Sequence, residues 1–178
     1  MIYKIKEIGE EGLALNLPLT AAWLAEECPD LDAVPVAGGL KLRGQLLQSG
    51  DDVFLRGSLR GALETACSRC LEPARAPLDI TLTVTFRPKP EADAADEDAE
   101  DDDDDLDVAS YDGEEVDLGP EIRDQILLAF PIKPLCREDC LGLCSVCGGD
   151  RNHLPCDCDA RQVENRTPLA AVLGKLKI

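Results

Sequence analysis

The sequence predicts an α+β protein: an antiparallel β-meander packed by helices, with a Cys-rich knuckle near the C-terminus. Three observations carry that prediction. Apolar residues recur with a period of two between Val34 and Pro88, and with a helical period around residues 118–130. Six of the nine cysteines crowd into residues 136–158, reading CREDCLGLCSVCGGDRNHLPCDC. A chain of 178 residues is long enough to bury a core, so it does not need disulfides for want of one.

In order along the chain, Met1 to Gly9 reads as an alternating strand, and residues 2–17 as a strand, a Gly-containing turn and a second strand. Thr20 is placed to cap a short helix over Ala21 to Glu27, anchored by Trp23 and Leu24. Cys28 follows as a small apolar residue at the helix end, with no near cysteine partner. The meander comes next. Leu40, Leu42, Gly44 and Leu46 alternate with polar positions, and Val53, Leu55, Gly57, Leu59, Gly61 and Leu63 do so after a turn at Ser49 to Asp52. Leu78, Ile80, Leu82, Val84 and Phe86 make the third run. Cys67 and Cys70 sit between the second and third runs, in a loop at the end of the sheet.

Glu91 to Asp107 carries twelve acids and no base, which leaves a net charge of −6 on the rest of a chain whose total is −18. Such a self-repelling tract buries almost nothing and is expected to be a disordered insertion, either solvated or engaging a basic partner. The expected organisation is a β-rich half over residues 1–90, the acidic insertion over 91–107, and a composite remainder over 108–178. In that remainder Pro120 suits a first helical turn. Leu118, Ile122, Ile126 and Ala129 form one apolar face, flanked by Leu127 and Phe130, that should pack on the meander. Pro131 and Pro134 end the helix. Thr167 and Pro168 start another, with Leu169, Val172, Leu173 and Leu176 as its stripe.

The same features limit the function classes. The longest run of large apolar residues, Ile126 to Phe130, is too short to cross a bilayer, and no leader pattern opens the sequence, so a cytoplasmic protein is the expectation. In that compartment, closely spaced cysteines are metal ligands or redox pairs before they are disulfides. A chain this acidic is not steered to nucleic acid by its overall field, so any such contact is local or passes through a basic protein. Arg69, Arg75, Arg151, Arg161 and Arg166 are candidates for local phosphate contact.

Zinc takes four soft or borderline ligands in a tetrahedron, and a CxxC turn supplies two of them. Cys144 and Cys147, followed by Gly148 and Gly149, make such a turn, and Cys156 and Cys158 can close the set. Cys67, Cys70, Cys136 and Cys140 are then a second set of four, clamping two loops across the acidic insertion. Spacing alone also permits one site plus free thiols, redox disulfides, shared use of Cys140, or His153 in place of a thiolate. An all-thiolate cage has neither the open position nor the general base of a catalytic zinc. No residue pattern elsewhere marks a nucleophile or a small-molecule substrate, so the chain is expected not to be an enzyme.

The segments CSRCLEP (67–73), DLGPEIRDQILLAFPIKPLC (117–136) and DCLGLCSVCGGDRNHLPCDC (139–158), with the terminal TPLAAVLGKL, together resemble the bacterial and plastid YceD-like family. Its members are called large-ribosomal-RNA-subunit accumulation proteins. The resemblance runs over residues 55–88 and 108–176. It matches Cys67 and Cys70 to the family's first pair and Cys136 and Cys140 to its second. Cys144, Cys147, Cys156 and Cys158 match a tail cluster found in many members. The Asp run at 101–105 is heavier than the family pattern. The resemblance implies a non-enzymatic role in accumulation or processing of large-subunit (23S) ribosomal RNA. With that role the expected partners are a large-subunit precursor, ribosomal RNA or, given the acidic charge, a basic ribosomal protein, and the cofactor expected from the cysteine spacing is structural zinc, two ions. The competing expectation is a redox-responsive zinc/thiol switch.

Overall fold

The computed structural model describes residues 1–89, 108–154 and 156–158. The acidic tract, the helix expected after Thr167, and Arg161 and Arg166 lie outside the described residues. Within the chain two units are distinguished: Met1–Thr65 with Arg75–Ile132, and Ala66–Ala74 with Lys133–Ile178.

The first unit is built on a sheet of six strands. Its path runs β2 (Leu13–Leu19), β4 (Leu40–Ser49), β5 (Asp52–Ala66), β6 (Pro73–Pro88) and β7 (Val108–Tyr111), with β3 (Val34–Pro35) paired to β5. The consecutive neighbours β4, β5 and β6 are the expected meander. Ser49 pairs with Asp52 across a two-residue turn, and Gly50 takes φ +63°, the conformation that a glycine at the first turn position supplies without a Cβ clash. Period two is kept most strictly in β6, where every second side chain from Ala74 to Phe86 is buried. The strand begins five residues before the first large apolar side chain of its run, because Ala74 and Ala76 continue the inward phase.

Two expectations are corrected at the edges. The opening strand β1 (Ile2–Lys4) stops early in a single 3₁₀ turn (Ile5–Glu7), and it pairs with β8 (Glu115–Asp117) rather than with β2. At the other edge β7 runs parallel to β6, Thr85 opposite Val108, so the sheet is mixed and not purely antiparallel. Neither pairing has a local signal, because both partners are far apart in sequence.

Two helices cover the apolar face. Helix α1 (Ala21–Glu27) is capped by Thr20, whose hydroxyl oxygen accepts the Trp23 N–H at 3.2 Å. Cys28 ends it, buried, and burial pushes its thiol pKa up. Helix α2 (Gly119–Ala129) opens with Pro120 in its first turn, and Asp117 Oδ1 accepts the Gly119 N–H at 2.9 Å. Its inward stripe is Leu118, Ile122 and Ile126, all fully buried in one cluster with Leu42, Leu46, Leu55, Leu59 and Phe86. Ala129, expected on that stripe, is exposed, and Phe130 packs against the core instead. Steps of four from Leu118 reach residue 130, so the i, i+4 ridge and not the i, i+3 alternative is used. Among the described residues no helix is long and apolar enough to cross a membrane.

Candidate metal centres

The loop between β5 and β6 begins at Cys67. The Cys67 amide donates to the Glu72 carbonyl at 2.8 Å, and the Leu71 amide donates to the Cys67 carbonyl at 3.0 Å. These bonds fold Cys67 to Glu72 into a tight knuckle, and the Arg69 amide approaches Cys67 Sγ at 3.5 Å. The segment Cys144 to Gly149 repeats each of these contacts. Cys144 N–H donates to Gly149 O at 2.8 Å, Gly148 N–H to Cys144 O at 2.8 Å, and Val146 N–H to Cys144 Sγ at 3.4 Å. The fifth residue of each knuckle is left-handed, Leu71 at φ +66° and Gly148 at φ +70°. The two CxxC loops are thus copies of one backbone device, a repeat that only their cysteine spacing reveals in the sequence.

Leu71 is the single non-glycine residue with positive φ among the described residues, and its side chain is 67% exposed. A left-handed L-residue costs about 1–2 kcal/mol, and glycine loses about 0.5–1 kcal/mol more entropy on folding. Leu71→Gly should therefore leave stability unchanged or raise it by up to about 1 kcal/mol, read as a rise in denaturation midpoint. A clear loss of stability would show that the Leu71 side chain packs in a way its exposure does not indicate.

The knuckles assemble two sets of four thiols. Cys67, Cys70, Cys136 and Cys140 have their Sγ atoms within 4.8 Å of one another, as do Cys144, Cys147, Cys156 and Cys158. In the first set Cys67 lies 3.9 Å from Cys140 and Cys70 lies 3.6 Å from Cys136. The edge of a zinc–thiolate tetrahedron with bonds near 2.3 Å is about 3.8 Å, whereas a disulfide brings sulfurs to about 2.05 Å. The two spacings of the first set thus suit a shared ion and not a disulfide, and both sets can hold a metal ion. Cys67, Cys70, Cys140 and Cys144 are buried; Cys136 and Cys147 are exposed.

The thiols of each set titrate apart, as groups sharing one small space must. Burial pushes Cys67 up, but N–H donors led by the Arg69 amide outweigh it and bring the thiol down to about 6. The amides of Cys147 and Val146 hold Cys144 at about 6 as well. Burial drives Cys70 to about 12, and neighbouring Cys147 drives Cys158 to about 12. In each set some thiols are held below the ordinary range, Cys67 and Cys140 in the first and Cys144 in the second, while others are opposed by burial and by their neighbours. A divalent cation removes that opposition, which is the chemistry of a four-thiolate donor set.

The other residues singled out in the sequence are placed elsewhere. Arg69 turns its guanidinium to the carbonyls of Cys140 (2.7 Å) and Glu138 (3.5 Å), so its backbone amide, not its charge, serves Cys67. His153 stands apart from both sets of sulfurs, with Nε2 3.6 Å from Asp150 Oδ2. Asn152 went unread in the sequence because nothing in its spacing marks it. Its Nδ2 donates to Cys140 Sγ at 3.4 Å, and its Oδ1 accepts from the Leu141 amide at 2.8 Å and from Arg137 at 2.7 Å. That contact helps hold Cys140 below the usual thiol range against the opposing effect of burial. Such a contact to a ligand sulfur orients it as outer-shell partners of metal sites do.

The family model for the large ribosomal RNA subunit accumulation protein YceD matches residues 55–177. An uncharacterized protein of Mycobacterium tuberculosis is 36% identical over 109 residues, covering 61% of this chain and 49% of the relative. One from Mycobacterium leprae is 26% identical over 149 residues, covering 83% and 66%. The chloroplastic large ribosomal RNA subunit accumulation protein YCED homolog 1 of Zea mays is 37% identical over 60 residues, covering 33% of this chain and 20% of the relative. The chain spans about half the length of the first curated relatives it matches. No solved structure matches it.

Proposed function

Because the chain belongs to the YceD family of large ribosomal RNA subunit accumulation proteins, we propose that it is a non-enzymatic ribosome-biogenesis factor. It acts on large-subunit (23S) ribosomal RNA within a precursor particle, and two structural zinc ions hold its cysteine-rich unit. The observation that carries this reading is the pair of four-thiol sets inside the segment matched by the family model. Each set offers four sulfurs to one ion and so leaves no open position for substrate, which favours a scaffold over a catalyst. The strongly acidic sequence favours a basic ribosomal protein as one partner, engaged by charge complementarity. These events belong in the cytoplasm.

The redox alternative has one observation in its favour, the two thiols brought down to about 6. Both are buried, Cys67 completely, which shields them from oxidant and favours retention of metal. The direct test of the proposal is sedimentation of the tagged full chain from gently lysed cells. It should co-migrate with large-subunit precursor particles; a protein found wholly at the top of the gradient would count against the assembly role.

A further inference from the structure

We propose that the solvent face of strands β2, β4 and β5 is a binding surface for the phosphate backbone of single-stranded RNA. The inference rests on the ribosomal reading above for the kind of nucleic acid, and on the charge pattern of this face for the site.

The pairing register places three outward rows across these strands: Ala14–Gln45–Arg56, Asn16–Arg43–Ser58 and Pro18–Lys41–Arg60. Four of these nine positions are cationic and none is acidic, in a chain with twice as many acids as bases. The four cations are exposed. Among the described residues Lys41, Arg43 and Arg56 make no ion pair, while Arg60 reaches Asp79 on β6 at 2.8 Å. Lys41 lies directly opposite Arg60, a like-charge pairing that costs the sheet stability. Lys41, Arg43, Ser58 and Arg60 together line a shallow depression of about 240 Å³. Uncompensated cations held at strand spacing, with Asn16, Gln45 and Ser58 as hydrogen-bond donors between them, are the footprint of a polyanion.

Single-stranded RNA fits this face better than a duplex. A flat sheet cannot enter the deep, narrow major groove of A-form RNA, whereas strand faces do serve as platforms for unpaired segments. At physiological salt, charges more than about 8 Å away through solvent are largely screened, so near neighbours decide the patch, and among the described residues Asp79 is the acid that pairs with one of its cations. Binding at this face is therefore local, and it sits apart in sequence from the arginines of the cysteine loops.

The test uses the full-length, zinc-loaded chain and a fluorescein-labelled 20-nucleotide oligouridylate, read by fluorescence anisotropy from 50 to 200 mM KCl. Affinity should fall as salt rises, with a log–log slope of about −0.7 for each phosphate neutralised. The triple variant Lys41→Gln, Arg43→Gln, Arg56→Gln should weaken binding at least tenfold and make the slope shallower by about 2, while its melting temperature holds. Arg123→Gln, on α2, which packs on the apolar side of the sheet, should bind as the parent does. Absence of binding at 50 mM KCl, or equal binding by the triple variant, overturns the inference. Tighter binding of a synthetic peptide of residues 91–107 to the same face also overturns it, by assigning the face to an acidic segment. The outcome is separable from that of the ribosomal reading. If the triple variant loses RNA but depleted cells keep normal ribosomal RNA, the family-based role fails and the surface stands. If depletion lowers the RNA but the triple variant binds normally, the surface fails and the role stands.

Discussion

Stripping the zinc-loaded chain with a strong chelator at neutral pH is expected to release two equivalents of zinc and to unfold the cysteine-rich unit. The described part of that unit has little else to hold it. Its buried apolar cluster consists of Cys67, Cys70, Ala74 and Cys140, with Leu135 against it, so three of its four buried members are proposed ligands. In small metal-dependent domains the ion supplies about 10 kcal/mol or more of folding free energy, which no cluster of this size replaces. Hydrogen exchange should show loss of protection at Leu71, Leu143, Cys144 and Gly148, whose amides make the knuckle bonds. Cys67→Ser and Cys144→Ser should each lower the zinc content to one equivalent, whereas Cys28→Ser should retain two. Full zinc content in the first two variants, or unchanged exchange after chelation, would contradict structural zinc. The affinity should weaken as pH falls, because every ligand must lose a proton to bind and acid returns it.

Ile126→Ala is expected to destabilise the sheet-bearing unit by about 3–4 kcal/mol, the middle of the range for truncating a fully buried aliphatic side chain. Ile126 occupies the centre of the inward ridge of α2, between Ile122 and Phe130, in the cluster that contains the sheet leucines. Removing its branched end leaves a cavity that rigid strands cannot close, so the transfer loss and the void add. Urea unfolding followed by far-UV circular dichroism reads the shift in midpoint. A zinc content still at two equivalents separates this packing loss from a loss of metal. A cost below about 1 kcal/mol would mean that α2 is not seated on the sheet.

The contrast between these residues shows what a sequence can carry. Ile126 was legible because a helix repeats a buried position every third or fourth residue, and the only error was taking Ala129 in place of Phe130 as the next contact. The alternation in β4, β5 and β6 was legible for the same reason, since each strand has one buried face. Parallel pairing of β7 with β6 and the union of β1 with β8 were not, because long-range pairing follows from tertiary packing and leaves no periodic trace. The sets of four thiols were legible from spacing once Cys67 and Cys70 were joined to Cys136 and Cys140. Asn152 was not, since its role depends on a sulfur twelve residues away in a loop with no regular period. The cations of the strand face were hidden in plain view. Alternation identifies their side of the sheet, but only the register brings Arg43 beside Ser58 and Lys41 beside Arg60.

We propose that zinc holds the fold through which this protein sustains large-subunit ribosomal RNA. The most direct measurement is the ratio of large- to small-subunit ribosomal RNA in cells depleted of the protein and supplied with either the parent chain or Cys67→Ser. Depletion should lower the ratio, with precursor particles accumulating on a gradient; the parent should restore it and Cys67→Ser should not. A ratio that stays normal on depletion would contradict the ribosomal role. Full rescue by Cys67→Ser would contradict the dependence on metal.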